Sequence, residues 1–406
     1  MMGRFQTAFA TFVAAFGICQ LATPAAAQTA VWTGGGPDTN YTTGANWSAG
    51  MPPPNNGVDT LDLSVSSYSN VGINTAANVA GIVFLGSEGY SQYNLFQVGS
   101  GSLTIGSGGI STPGSLNTYL FDGAPVILSA NQTWSESVGF LDVSGDISQS
   151  GGARTLTLVG STYFFGNNTF SGGLDVSSGF FFAGSDGAGG TGTITLADGS
   201  AMESWYNPVT LANAVTLGNG VTLGSNQSDT LAPLNLSGTV TMTNAATNLL
   251  LNAGADVYLS GTLAGPPSTA LTILGTTSME PLDGGSQMVI QGTLSNVASI
   301  DVSSAQLILA PAGNPATSFS SLSPSGLQVS NMAYLGLDGT FVNPGAVAAF
   351  ITTYGPSLGP NMNGTLGFDT VGNPGTPNVF SDPINLNQFY SEGFLGLGSA
   401  LSLIHI

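Results

Sequence analysis

The chain has 406 residues, of which 42% are hydrophobic and only 6% charged, with 59 Gly, 21 Pro and a formal net charge of −19 at pH 7. So apolar a composition excludes a disordered low-complexity chain. The acidity, with no Lys and with Arg4 and Arg154 as the only strong bases, argues against nucleic acid and anionic membrane as partners. With so few charges, the surface must be made of Ser, Thr, Asn and Gly. A β-solenoid meets that demand, because its strands alternate inward apolar with outward small polar residues.

In chain order, residues 1–27 read as a secretory signal peptide. Arg4 supplies the positive start, residues 8–18 the apolar stretch, and Ala25-Ala26-Ala27 the small-residue cleavage site before Gln28. The apolar run is short for a membrane anchor. Ile18 before Cys19 does not fit lipoprotein processing, which needs a small residue there. Cleavage removes Cys19, the only cysteine, so stability must come from stacked rungs rather than disulfides. Residues 28–63 form an opening module carrying Trp32, Tyr41 and Trp47. Its two Trp suit the capping of a solenoid's open end, and sugar platforms are the competing role.

From 64 to 309 short strands punctuated by Gly or Asn are expected at 79–85, 102–105, 126–128, 140–143, 155–159, 209–211, 214–217, 221–223, 239–242, 249–251 and 257–259, with no helices between them. Leu236-Ser-Gly-Thr239 returns as Leu259-Ser-Gly-Thr262, a step of 23 residues that fits one coil. Leu141-Asp-Val-Ser-Gly145 returns as Leu174-Asp-Val-Ser-Ser178. The triplets Tyr163-Phe164-Phe165 and Phe180-Phe181-Phe182 align on neighbouring coils in this reading. In each the central ring faces opposite to its flanks, which are either exposed or covered by the Gly-rich loop 183–192. Beyond Leu309 the texture changes to an irregular β region, 310–400, marked by Pro311, Pro315 and Pro324. It includes a short helix over 343–351, with Asn343 as N-cap and Pro344 as first helical residue, and strands near 366–368 and 394–397.

The richest segment is 167–202. Strands at 173–176, 180–182 and 192–196 alternate there with tight corners, which is the content of one coil of a right-handed, single-stranded parallel β-helix. Its residues Asn168-Thr-Phe-Ser-Gly-Gly173, then Val176 and Gly179, then Gly190-Thr-Gly-Thr-Ile-Thr-Leu196 resemble the autotransporter-associated β-strand repeat. The opening module is similar to the W-x-G … N-W … P … D segment that begins such passenger domains, with Tyr41 where another Trp is expected. The resemblance implies an exported, non-enzymatic solenoid acting as a structural or adhesive surface protein. Its partners would be a host or neighbour-cell surface, glycan or matrix, and its location the cell surface, outer membrane or extracellular space. A C-terminal translocator or anchor is expected beyond this sequence, because residues 401–406 match the translation of a sequencing adapter. On that reading His405, the only histidine, is not native.

No catalytic, cofactor-binding or metal-binding residue is nominated. Nucleophile triads and His or Cys metal sites lack their key residues. Arg154 is flanked by Gly151-Gly152-Ala153 and is expected to pair with a carboxylate or a carbonyl. Asp142, Asp146 and Asp175 read as a solvated repeat face. The loop Gly184-Ser-Asp186-Gly-Ala-Gly-Gly190 reads as a corner, not as a calcium coil, because the tandem repetition is missing. Two rivals stay open: a surface protein held by a short C-terminal sorting anchor, and a β-helical carbohydrate-active enzyme, which would need several carboxylates converging in one cleft.

Overall fold

The computed structural model describes residues 27–338 except 64–67, 85–91, 113–116, 138, 226–231, 253, 276–285, 312–317 and 331–332, together with strands Thr365–Asp369 and Phe394–Leu397. The expected helix over 343–351 lies outside the described residues.

Short parallel strands stack in register on three faces, so the chain winds as a β-solenoid, with the short 3-10 turn Gly44–Asn46 near its N-terminal end. One coil runs through Leu156–Val159 on the first face and Thr162–Phe164 on the second. The third side of that coil is an extended segment around Phe170, and the chain returns to the first face at Leu174–Ser178. On the third side strands are present earlier, at Val126–Leu128 and Ile147–Gln149, and again from Val209–Leu211 onward, continued by Leu234–Leu236 and Asp256–Leu259. Long strands such as Leu263–Gly275 turn the corner and pair on both the first and second faces.

The sequence forms these strands because apolar residues recur at every second position, and a strand places them all on one side. On the first face Leu61, Ile82, Ile110, Trp134, Leu158, Val176, Leu196, Leu217 and Met242 lie in one register column, one per coil, and all are buried. Each such burial contributes about 1.5–3 kcal/mol. The intervening Thr157, Asp175, Thr195, Thr216 and Thr241 form the outer column. Leu236 and Leu259 pair directly, so the 23-residue step is one coil. Coil length nonetheless varies: 18 residues separate Leu158 from Val176, and 25 separate Leu217 from Met242.

Corners are stitched by side-chain acceptors. The Asp146 carboxylate accepts from the Asn167 N–H at 2.8 Å, Asp186 from Thr210 at 2.7 Å, Asp198 from Asn219 at 2.7 Å, and the Asn219 amide oxygen from Asn248 at 2.8 Å. Each bond joins one coil to the next and satisfies an N–H that the turn would otherwise leave open.

At the N-terminal end Trp32, Tyr41 and Trp47 are all buried. The Trp32 and Trp47 rings meet edge-on at 5.0 Å and those of Tyr41 and Trp47 at 5.2 Å, while the Trp47 indole N–H donates to the Tyr41 carbonyl at 2.8 Å. Rings buried in this way cap the coil interior, and the alternative of sugar platforms at Trp32 and Trp47 is overturned. Past Leu309 the third face continues: Gln306–Leu309 pairs with Tyr334–Asp338, which pairs with Thr365–Asp369, which pairs with Phe394–Leu397. The strands expected near 366–368 and 394–397 therefore extend the same stack.

Candidate functional site

The outer side of the second face carries a strip of aromatic rings. Thr162–Phe164 pairs with Phe180–Ala183 so that Tyr163 lies opposite Phe182 and Thr162 opposite Phe181. The central rings Phe164 and Phe181 point inward and are fully buried, as the period-2 pattern requires. Their flanking rings point out and pack on one another. Tyr163 and Phe182 stack at 4.2 Å with planes 14° apart, and Phe180 lies parallel to Phe182 at 5.5 Å. Phe140 meets Tyr163 edge-on at 5.0 Å. The question left open for the triplets thus resolves ring by ring. Phe165 lies against Gly184 of the Gly-rich loop, where a Cβ would approach its ring to 2.1 Å; Tyr163 and Phe182 cover each other; Phe180 remains 41% exposed.

Two further aromatics complete the strip, and sequence reading missed both. Trp205 follows the strand Ala201–Ser204 and sets its ring edge-on over Tyr163 at 4.6 Å and Phe182 at 5.3 Å. Tyr206 meets Trp205 at 4.8 Å and is 56% exposed. Its φ of 60° is a left-handed conformation that bulky residues rarely adopt. The one available signal was the adjacent pair Trp205-Tyr206, followed by Pro208, between the segment ending at Met202 and the strand expected at 209–211.

Carboxylates flank the rings. The register column runs Asp142, Tyr163, Phe182, Glu203, one residue per coil. Three rung steps separate the two acids, or about 14 Å at the usual strand spacing. Glycosidase carboxylate pairs lie roughly 5–10 Å apart, so these two do not form one. Glu203 is only 2% exposed; its Oε1 accepts from the Asn252 amide at 3.0 Å, an approach permitted because Gly224, between them in register, has no side chain. Burial pushes the Glu203 carboxyl up to about 7, with the Asn252 hydrogen bond opposing. Burial, then the negative field of Asp122, raises Asp142 to about 6.

Glu203 binds its proton more tightly in the folded chain than its ordinary 4.5. Stability is therefore highest below that value, falls as pH rises towards about 7, and is flat above it. The full loss from this group is at most about 3 kcal/mol. Glu203→Gln should remove much of the decline and raise stability above pH 7, leaving a smaller slope from Asp142 and from Asp256, whose carboxyl burial also raises. Urea unfolding midpoints at pH 4.5 and 8 in both proteins measure it; an unchanged slope would contradict the assignment.

The structure does not unite the acids singled out in the sequence. Asp142 lies on the second face, Asp146 at a corner, and Asp175 on the first face between Thr157 and Thr195. The matching segments Leu141-Asp-Val and Leu174-Asp-Val thus occupy different faces, and the single solvated repeat face expected for them is corrected. Asp175 borders a shallow notch of about 370 Å³ lined by small and hydroxyl residues, including Ser171, Thr191 and Thr193. Arg154 donates to the carbonyls of Ser150 at 2.9 Å and Gly151 at 3.1 Å, the carbonyl pairing of the two expected. Among the described residues no group of three or more His, Cys, Asp or Glu could hold a metal ion.

The repeat-like motif at 167–202 has a packing role. The Asn168 side chain accepts from the Ile147 N–H at 2.8 Å and donates to the Ala188 carbonyl at 2.7 Å, spanning three successive coils, and Phe170 is fully buried beneath it. Asn213 makes a bond in the opposite direction, its amide donating to the Gly192 carbonyl of the preceding coil at 2.6 Å. Compared with family models, with curated proteins and with solved structures, the chain gives no match.

Proposed function

We propose that this chain is an exported, non-enzymatic β-solenoid serving as a structural or adhesive surface protein, similar to an autotransporter passenger. The observation that carries the reading is how the acids are used: Asp146, Asp186 and Asp198 are coil-stitching acceptors, and Asp142 and Glu203 stand three rungs apart. Among the described residues that leaves stacked coils whose outer faces are available for contact. The leader-like residues 1–27 and the motif at 167–202 support the export half of the proposal.

Fractionation of the source cells, with protease shaving of intact cells, tests export. The chain is expected at the surface or in the medium, and a protease-resistant cytoplasmic pool would overturn the reading. Incubation with neutral and acidic polysaccharides should release no reducing ends or unsaturated products. Turnover would instead make the chain a β-helical carbohydrate-active enzyme.

A further inference from the structure

We propose that the outer strip centred on Phe180, Trp205 and Tyr206 is a binding site for a neutral polysaccharide, whose apolar pyranose faces stack on these rings; the proposal rests on the surface-protein reading and names its ligand. Three observations carry it.

The first is rigid exposure. Phe180 and Tyr206 are 41% and 56% exposed, yet their rings are buttressed by Phe182 and Trp205, which stack in turn on Tyr163. Such rings offer contact area at little ordering cost, because packing has already fixed their rotamers. The backbone of Tyr206 sits at φ 60°, a conformation that costs energy for a bulky residue and that a corner Gly or Asn would adopt more cheaply. Folding alone gives no reason for a tyrosine there.

The second is the space around the rings. Phe180 lies opposite Ala201 in register, and one step along the paired strands brings Ser161 to its other side. Small neighbours on both adjoining rungs mean that no other ring stands directly opposite Phe180. The strip extends over four rungs, about 14 Å, which is the scale of a short oligosaccharide rather than of a single small molecule.

The third is charge. The chain carries a net −19 and no Lys, so uronate-rich or sulfated glycans would be repelled. A cationic peptide stacking Arg on the rings would need an exposed carboxylate as counter-ion. Glu203, nearest to Trp205, is 2% exposed and engaged with Asn252, and Asp142 stands three rungs from Glu203 at the opposite end of the strip, so no free carboxylate adjoins Trp205 and Tyr206. The narrow strip, bordered by hydroxyl and carboxylate groups, is also unlike the broad apolar patch of a protein interface.

The chain has its own reporter. Of its four Trp, three (Trp32, Trp47 and Trp134) are buried, which leaves Trp205 as the one open to ligand. The full chain is titrated with soluble neutral oligosaccharides (β-glucan, mannan and galactan types), with polygalacturonate, and with an Arg-rich peptide, while its retention on the insoluble neutral polysaccharides is measured. At least one neutral glycan should shift Trp205 fluorescence and retain the chain, and Trp205→Phe should abolish the shift. Phe180→Ala and Tyr206→Ala should each weaken retention about three- to tenfold, with unfolding midpoints lowered only slightly, so that both variants stay folded under the assay. Retention that is the same in the double variant would overturn the site while leaving an adhesive solenoid intact. Fluorescence unmoved by every neutral glycan, or moved only by the peptide, would overturn the ligand class. Release of soluble sugar would instead overturn the non-enzymatic reading beneath it.

Discussion

Asn168→Ala is expected to destabilise the coils around it by about 2–4 kcal/mol, because it strands two buried backbone groups at once. The Ile147 N–H loses its acceptor and the Ala188 carbonyl loses its donor, in a corner where Asn168 itself is buried. Water cannot replace the side chain without opening the corner above Phe170, which is fully buried. Stacked coils contact only their neighbours, so the loss should be local. Amide exchange should speed up most in the strands Ile147–Gln149, Leu174–Ser178 and Ile194–Leu196. Asn168→Asp separates the two bonds. An ionised carboxylate keeps the acceptor for Ile147 but faces the Ala188 carbonyl without a proton. Its folded pKa should thus be raised, and stability should recover as pH falls, when the protonated acid can donate again. Equal stability of Asn168→Ala and the parent chain would show that the motif does not clamp the coils.

Gly261→Ala should cost about 3 kcal/mol, near the upper end for overpacking, although the added group is one methyl. A Cβ at Gly261 would stand 2.0 Å from the Gly238 carbonyl oxygen; one at Gly238 would stand 2.1 Å from that of Asn213, and one at Gly292 1.6 Å from that of Gly261. The obstacle is backbone on the neighbouring coil, so no side-chain rotation relieves it and the coils must separate. Thr241→Ala, at an exposed strand position on the first face, is the control and should change stability by less than about 1 kcal/mol. Chemical denaturation of the two variants tests the difference; equal costs would mean that the corner is looser than the close approach implies.

The same glycines mark how far the sequence could be read. Leu236-Ser-Gly-Thr and Leu259-Ser-Gly-Thr were visible as a repeat, and in the structure Gly238 and Gly261 are stacked on consecutive coils. The strands Val126–Leu128 and Val209–Leu211 fall at the expected residues, and Phe164 and Phe181 point inward as alternation demanded. Tyr68–Ile73, Gln92–Gln97 and Asn117–Asp122 went unread, because polar residues interrupt their apolar pattern and their turn signals are weak. The change of texture beyond Leu309 concealed the continuing third face, whose short Leu-x-Leu strands pair across long connections between coils.

By itself the sequence determined the local rule: alternating residues choose inside from outside, and Gly, Asn and Asp make corners, because both follow from the period and sterics of a few adjacent residues. Only the tertiary structure decided which outward residues meet. Loop lengths vary from coil to coil, so identical Leu-Asp-Val segments land on different faces, Glu203 finds Asn252 49 residues away, and Trp205 closes over Tyr163. Outward positions obey no burial pattern that a single chain segment could display. Their register is set by the sum of all preceding turns, and the aromatic strip exists only once that sum is fixed.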